Sequence, residues 1–489
     1  MSVEIPNIRI RNTGPEKPDL KGEFVLYWMT SYRRTGWNFS LQRAVEKAIE
    51  LDRPLVILEA LRCGYKWASD RLHTFIIEGM ADNAAAIRNT PAFYYPYLEP
   101  HRDDGKGLLE ALAKKASIVI TDYFPCFFIP RMVSAASRKI KVPLELVDSN
   151  GILPVAAADR VFSTAYSFRR FLQKNLTPFL HEMPLEDPLK ELPKAVKAKI
   201  PRDIFLKWPP VGDSYLRDKQ RDLSSFPIDH AVTRGLAAGG AKEAERIMKD
   251  FIASGLARYP DTRNQPEVEG TSGLSPYLHF GHISAHQVLH GIFEKESWFF
   301  DRLSPRTSGA RSGWWGMSEA AEAFLDELIT WRELGFNICH FRADYHMYES
   351  LPGWALETLY DHEMDERKYI YSLARFESGD THDPLWNAAQ VQLVREGRIH
   401  NYLRMLWGKK ILEWSPSPKQ ALEIMIELNN KYALDGRDPN SYSGIFWTFG
   451  RYDRAWGPQR AIFGKIRYMS SKNTARKYGV KNYIKWYGP

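Results

Sequence analysis

The 489-residue chain predicts two architectures in series, an α/β domain on a parallel sheet followed by an all-helical domain. Three observations predict this. Short apolar runs alternate with helix-like stretches over residues 1–150. Seven prolines sit among charged residues over 178–210. Beyond about residue 226, strand signals are sparse and long segments keep helical spacing. The expected domains are 20–160 (α/β), 161–225 (a Pro-rich, extended connector) and 226–489 (helical).

Strands are expected at "FVLYWMT" from Phe24, "PLVILEAL" from Pro54, "SIVITDYF" from Ser117 and "PLELVDS" from Pro143. "AFYYPYLE" from Ala92 is a weaker fifth, because Pro96 cannot donate to a ladder. Helices are expected between them over 40–51, 69–88, 105–116 and 131–141. This alternation implies a parallel sheet covered on both faces. No G-x-G-x-x-G follows the first strand and no Walker A sequence occurs, which argues against a standard dinucleotide or nucleoside-triphosphate site there. The later helices are expected over 242–256, 284–293, 318–340, 384–395, 401–413 and 418–431.

Composition narrows the class. Apolar residues make up 44% and charged residues 26%, which excludes wholesale disorder. Three scattered cysteines, with no Cys-x-x-Cys, argue against a disulfide framework and against a thiolate zinc site. No apolar run approaches the length of a membrane span, and "MSVEIPNIRIRN" has no signal-peptide core. A cytoplasmic protein is expected (nuclear in a cell with a nucleus), monomeric and without a membrane partner. The net charge is +8, yet residues 451–485 alone hold ten Lys or Arg against one acid, Asp453. Tyr452, Trp456, Phe463, Tyr468, Tyr478 and Tyr483 are interleaved with them. Basic residues attract phosphates and aromatic faces stack on bases. The alternative is a solvated basic surface over a terminal-helix core.

Four constellations bear on chemistry. In "EAFLDELITWRELGFNICHF", Glu327 and Trp331 share a helical face near Phe324, and the other faces are apolar. A carboxyl in such a helix needs a partner or a raised pKa, unless it sits at the rim against an Arg. In "EGTSGLSPYLHFGHISAHQV", Thr271, Ser272 and Ser275 surround Gly273 before a helix, which suits either a phosphate or plain capping. The same stretch carries His279, His282 and His286 at spacings that fit one helical face, but no carboxylate or thiolate joins them as metal ligands. Finally, Trp407 and Trp414 in "RMLWGKKILEW" lie nearly two turns apart on one helix, about 10 Å along its axis. Trp386 lies upstream in "HDPLWNAAQ". Core packing accounts for their spacing as well as any function does.

The chain resembles the DNA photolyase and cryptochrome family, most closely the class II cyclobutane pyrimidine dimer photolyases. The likeness runs nearly end to end, through "VLYWMTSYRRTGWNFSL", "EGTSGLSPYLHFGHISA", "ELITWRELGFN", "THDPLWNAAQ", "LDGRDPNSYSG", "YDRAWG" and "GKIRYMS". It implies a Rossmann-like antenna domain and a helical domain holding noncovalent FAD, active as FADH⁻. It assigns Thr271, Ser272, Gly273, Leu274 and Ser275 to the diphosphate loop. It assigns Tyr259, Arg263, Arg404, Asp435, Asp438 and Asn440 to further flavin contacts, and Asn429 to the flavin's reactive edge. Glu327 matches the carboxyl that hydrogen-bonds the dimer. Trp407, Trp386, Trp414 and Tyr371 match an electron route inward to the flavin. Trp331, Met405 and Trp447 match the lesion pocket, and Arg454 and Trp456 match residues that fill the gap in UV-damaged DNA once the dimer is flipped out. The implied reaction is light-driven splitting of the cyclobutane ring by an electron from excited FADH⁻. The α/β domain is a candidate seat for a deazaflavin-type antenna. His282 and His286 lie where the local substrate contacts are not fixed by the likeness. The same residues also suit a cryptochrome-like photoreceptor or, less closely, a (6-4) photolyase.

Overall fold

A six-stranded sheet organises the first part of the chain. The structure is a computed structural model that describes residues 4–193 and 197–488. Strands β1 (Ile10–Thr13), β2 (Phe24–Met29), β3 (Leu55–Leu61), β4 (Phe93–Leu98), β5 (Ala116–Asp122) and β6 (Leu144–Val147) lie in the order β1-β6-β5-β2-β3-β4. All pairings are parallel except β1 with β6, where Ile10 opposes Val147. Both faces are covered, which is why β2 and β5 are buried at every residue. Phe24, Leu26 and Trp28 point into one core with Leu112, Val133 and Trp208; Val25, Tyr27 and Met29 point into the other with Phe39 and Val45. Each such side chain contributes about 1.5–3 kcal/mol. Helices α1 (Phe39–Glu50), α2 (Asp70–Ile87), α3 (Leu108–Ala113) and α4 (Ile129–Ser137) cross between strands. Asn38 caps α1 and Ser69 caps α2. β4 stands at the edge, where a strand tolerates a proline such as Pro96.

The strand order reverses between β2 and β5. There Asp122 accepts from the backbone N–H groups of Thr30, Ser31 and Tyr32 at 2.7–2.9 Å and from the Tyr27 hydroxyl at 2.7 Å. A buried carboxylate is thus fully satisfied, and it fixes the turn that leaves β2.

The segment expected to be an extended connector contains helices. Helix α5 spans Ala165–Asn175, and short turns follow at Thr177–Leu180, Arg202–Lys207 and Asp213–Arg217. Pro178 occupies a first-turn position, where a missing N–H costs nothing, so prolines here start helices rather than forbid them. Residues 194–196 of that connector lie outside the described residues. Helices α6 (Ala241–Asp250), α7 (Ser275–Phe280) and α8 (Ala285–Lys295) come next. Two compact units divide the chain. Met1–Asp159, Asn175–Lys249 and Leu274–Glu294 form one; Arg160–Lys174, Asp250–Gly273 and Lys295–Pro489 form the other. Residues 226–249 and 274–294, expected with the helical domain, therefore belong to the sheet-containing unit.

The three histidines do not share a helical face. α7 ends at Gly281, whose φ of +73° lies in the left-handed region, and α8 begins only at Ala285. His279 packs against Phe124 and Phe280, His282 stacks on Phe75 at 5.0 Å, and His286 meets Phe39 edge-on. His282 Nδ1 accepts from the Gly240 N–H at 3.0 Å, and its other nitrogen lies where a Cβ on Gly79 would sit, 2.3 Å away. Burial pushes its pKa down to about 3, so it is a neutral packing residue.

The second unit is helical: α9 (Glu319–Leu325), α10 (Arg332–Phe341), α11 (Pro384–Glu396), α12 (Asn401–Trp414), α13 (Pro418–Tyr432), α14 (Pro439–Trp447), α15 (Ser471–Lys477) and α16 (Lys481–Tyr487). α10 packs on α14 at Gly335, where a Cβ would come 2.8 Å from the Pro439 carbonyl oxygen. α12, α13 and α14 pack together, and α16 docks on α11 through Tyr483 Oη to Gln392 and Tyr487 Oη to Glu396, both 2.7 Å. No helix among the described residues is long and apolar enough to cross a membrane.

Candidate active site

Glu327 sits in a π-helical turn, Asp326–Trp331, inserted between α9 and α10. Its neighbour Asp326 is clamped by both guanidinium arms of Arg169 on α5, at 2.6 and 2.8 Å, with both side chains almost fully buried. That clamp holds the wider turn. Glu327 accepts from Arg263 Nη2 at 2.6 Å, and 32% of its side chain stays open. The guanidinium of Arg263 lies 5.2 Å over the Tyr259 ring, which meets Phe324 edge-on. Burial raises the Glu327 pKa and Arg263 opposes it; the net direction is upward. Both sequence alternatives hold in part: the carboxyl pairs with an Arg, and it is proton-loving. Trp331, at the end of the same turn, is half-buried.

Around the second unit's helix junction, Arg404 on α12 donates to Asp435 at 2.9 Å, while its buried Nε has no partner among the described residues. Asn429 on α13 donates to Ser441 Oγ at 2.8 Å. Asp438 caps α14 by accepting from the Asn440 N–H at 2.8 Å, so this acid does structural service. Arg437, at φ +65°, turns back to donate to the carbonyls of Ala433 and Leu434. Thr271, Ser272 and Gly273 close the second unit's 250–273 segment; Leu274 and Ser275 open the next segment of the first. Leu274 occupies the cap position of α7 and cannot cap it, Gly273 has φ +69°, and Thr271, Gly273 and Ser275 are exposed. Within the second unit, the orphan buried guanidinium nitrogen of Arg404 suits an anionic, hydrogen-bonding group.

The aromatic residues form one contact series. Trp407 and Trp386 lie parallel with ring centroids 6.5 Å apart; Trp386 and Trp414 are 6.0 Å apart, and Trp414 and Tyr371 5.8 Å. Trp386 thus bridges the two tryptophans of α12. Its indole N–H donates to the Trp407 carbonyl at 3.0 Å, and Trp407 donates to Gln390 at 2.9 Å. Asp383 caps α11 at Leu385 and Trp386, which fixes the bridging ring. The three tryptophans are 0–3% exposed and Tyr371 6%.

A basic, aromatic surface follows. Trp447 and Met405 are half-buried. Arg467 lies 5.7 Å over Trp447 and 5.0 Å over Trp456, and Arg454 lies 4.5 Å over Trp456. Of the ten basic residues of the terminal segment, nine are exposed. The exception, Arg451, is buried and donates to the Tyr345 carbonyl and Ser350, so it is structural. Tyr452, Phe463 and Tyr483 are also buried, and the core reading holds for them.

Sequence reasoning passed over Arg169 and His382, and saw in Lys409 only a basic residue flanking the tryptophans. Lys409 is fully buried, donates to the Thr448 carbonyl at 2.6 Å and lies 4.8 Å over the Trp447 ring; burial pushes its pKa down to about 7. The signal for it was a lysine inside an apolar helix run. Nothing in the local sequence signals Arg169, whose partner lies 157 residues away.

No family model matches the chain. Full-length relatives do. It is 35% identical to the deoxyribodipyrimidine photo-lyase of Methanothermobacter thermautotrophicus over 97% of each chain. It is 33% identical to that of Arabidopsis thaliana over 99% of this chain and 93% of that protein, and 31% identical to that of Potorous tridactylus over 95% and 81%. The fold matches the crystal structure of a bacterial class III photolyase from Agrobacterium tumefaciens with a TM-score of 0.65 at 16% identity, over 96% of this chain and 87% of that one. With a doubly wound sheet, a helical second unit and relatives of this identity along nearly its whole length, the chain belongs to the deoxyribodipyrimidine photo-lyase family.

Proposed function

We propose that this chain repairs cyclobutane pyrimidine dimers in UV-damaged DNA by light-driven electron transfer from a reduced FAD, in the manner of a class II enzyme. One observation carries the reading: four aromatic side chains in unbroken contact run from the buried Trp407 to Tyr371, in a chain whose relatives are deoxyribodipyrimidine photo-lyases. Packing alone does not require that order.

The residues that would hold FAD are Thr271, Ser272, Gly273, Leu274 and Ser275 at its diphosphate, with Tyr259, Arg263, Arg404, Asp435, Asp438 and Asn440 around it and Asn429 at the redox-active ring. Bound and reduced, the flavin supplies on excitation one electron that splits the C5–C5′ and C6–C6′ bonds of the dimer and returns. The protein does the rest. Glu327, with its raised proton affinity, offers a hydrogen bond to a dimer carbonyl as charge develops there. Trp331, Met405 and Trp447 wall the lesion from water. Arg454 and Trp456 occupy the gap that a flipped-out pair leaves, and the exposed cations of 451–485 bind phosphates. Trp407, Trp386, Trp414 and Tyr371 relay electrons inward to restore the reduced cofactor. A deazaflavin-type antenna belongs to the sheet-containing unit.

Illuminating the protein, loaded with chemically reduced FAD, with a dimer-containing oligonucleotide tests the reading. Dimers should disappear under blue light and persist in the dark. Unchanged dimer content under light would overturn it.

A further inference from the structure

The outer end of the ring series carries a group that a stack of rings does not need. The Tyr371 hydroxyl oxygen lies 2.7 Å from His382 Nδ1 and accepts the His382 backbone N–H at 3.1 Å. When the imidazole carries its proton on Nε2, the phenol's own hydrogen donates to Nδ1. Trp414 touches both partners, with its ring centroid 5.8 Å from Tyr371 and 4.8 Å from His382. Tyr369 stacks on the imidazole at 3.7 Å and fixes its plane. Tyr371 is buried, whereas His382 is exposed, so the imidazole spans the boundary between the phenol and bulk water.

We infer that His382 is the proton acceptor for oxidation of Tyr371, making the tyrosine a proton-coupled terminal donor of the electron route. The inference rests on the route proposed above. In the step, Tyr371 gives one electron to the oxidised Trp414. Its O–H bond breaks and an N–H bond forms at His382 Nδ1. The products are neutral Trp414, a neutral tyrosyl radical and an imidazolium, which then loses its Nε2 proton to water. An added thiol later returns one electron and one proton to Tyr371.

The physical advantage is direct. A phenol that loses an electron but keeps its proton becomes a cation in a buried place, and the Arg375 guanidinium 4.7 Å over its ring disfavours that cation further. A base already within hydrogen-bond reach removes the proton as the electron leaves. Without it, the hole stays on Trp414, which Lys410 faces at 5.5 Å, and charge returns to the flavin. Burial, with Lys410 and Lys368, holds the imidazole below its usual pKa, against Asp383 and Glu413. His382 is therefore neutral, and able to accept, at pH 7.

Transient absorption of the FAD-loaded protein tests this, in H₂O and D₂O, for the native chain, His382→Phe and Tyr371→Phe. The native chain should show a neutral tyrosyl band whose appearance slows in D₂O. Both variants should lose that band while the tryptophanyl signal persists. Added imidazole should restore it in His382→Phe alone. In the native chain the band should fade as the pH falls and His382 takes up a proton. A tyrosyl band in His382→Phe with native rate and isotope effect overturns the inference, as does a band that survives Tyr371→Phe. Absence of any flavin reduction or tryptophanyl signal in the native chain would instead overturn the route itself.

Discussion

At the scale of single residues, Glu327 shows how two opposed terms set one function. Desolvation raises its proton affinity, the Arg263 guanidinium at 2.6 Å lowers it, and the balance stays above the ordinary carboxyl value. A carboxyl whose folded pKa exceeds its unfolded one favours the fold at acid pH, and that contribution is lost as the pH rises through the folded value. Glu327→Gln keeps a hydrogen-bond donor but removes the titration and leaves Arg263 without its charge partner. The pair is partly open to solvent, so the expected loss of stability is only about 1 kcal/mol, read from the urea midpoint at pH 7. Repair at saturating DNA should fall by about tenfold, because an amide N–H is a weaker donor than a carboxylic O–H to the oxygen on which charge develops. A variant that repairs as fast as the native chain would remove Glu327 from the mechanism.

At the scale of elements, the ring series depends on two helices meeting at one register. α12 carries Trp407 and Trp414, and only Trp386 of α11, inserted between them, makes the path continuous. Trp407→Phe removes the innermost step. Photoreduction of bound oxidised FAD should then be lost, whereas chemically reduced protein should still remove dimers under light; steady-state absorption and an oligonucleotide assay read the two. Unchanged photoreduction would break the proposed order. The elements themselves differ in how far the sequence discloses them. The doubly covered strands and the long helices were legible because burial writes a period into the residues. β1 was not: Ile-Arg-Asn-Thr, on an edge with half-exposed residues, has no apolar pattern. The π turn was not, since α and π turns use the same residue types and a clamp from Arg169 decides between them. α5 hid within a proline-rich stretch. Of the site, individual side chains such as Glu327 and the tryptophans were visible, but their pairings with Arg263 and His382 depend on tertiary folding.

At the scale of the whole molecule, charge is segregated. The terminal segment carries nine exposed cations and one acid in a chain whose total charge is +8, so the rest of the surface is close to neutral. Such segregation adds little to folding; it concentrates phosphate-binding potential on one stretch of chain. α15 presents Lys472, Arg476 and Lys477 to solvent, with Lys477 also 5.9 Å over the Tyr402 ring and 5.0 Å over that of Tyr478. Each cation that neutralises a DNA phosphate releases condensed counterions, contributing about 0.9 to the slope of log affinity against log salt concentration. Replacing all three with Ala should reduce that slope by up to about 3 and weaken undamaged and dimer-containing duplexes alike, because backbone contacts carry no information about the lesion. Fluorescence anisotropy across a salt series, on both duplexes, measures it. Preference for the damaged duplex should be unchanged, since the pocket around Glu327 and Trp331 supplies it. A slope that stays native would place the DNA on another face of the protein; a selective loss of damaged-duplex binding would make α15 a reader of the lesion.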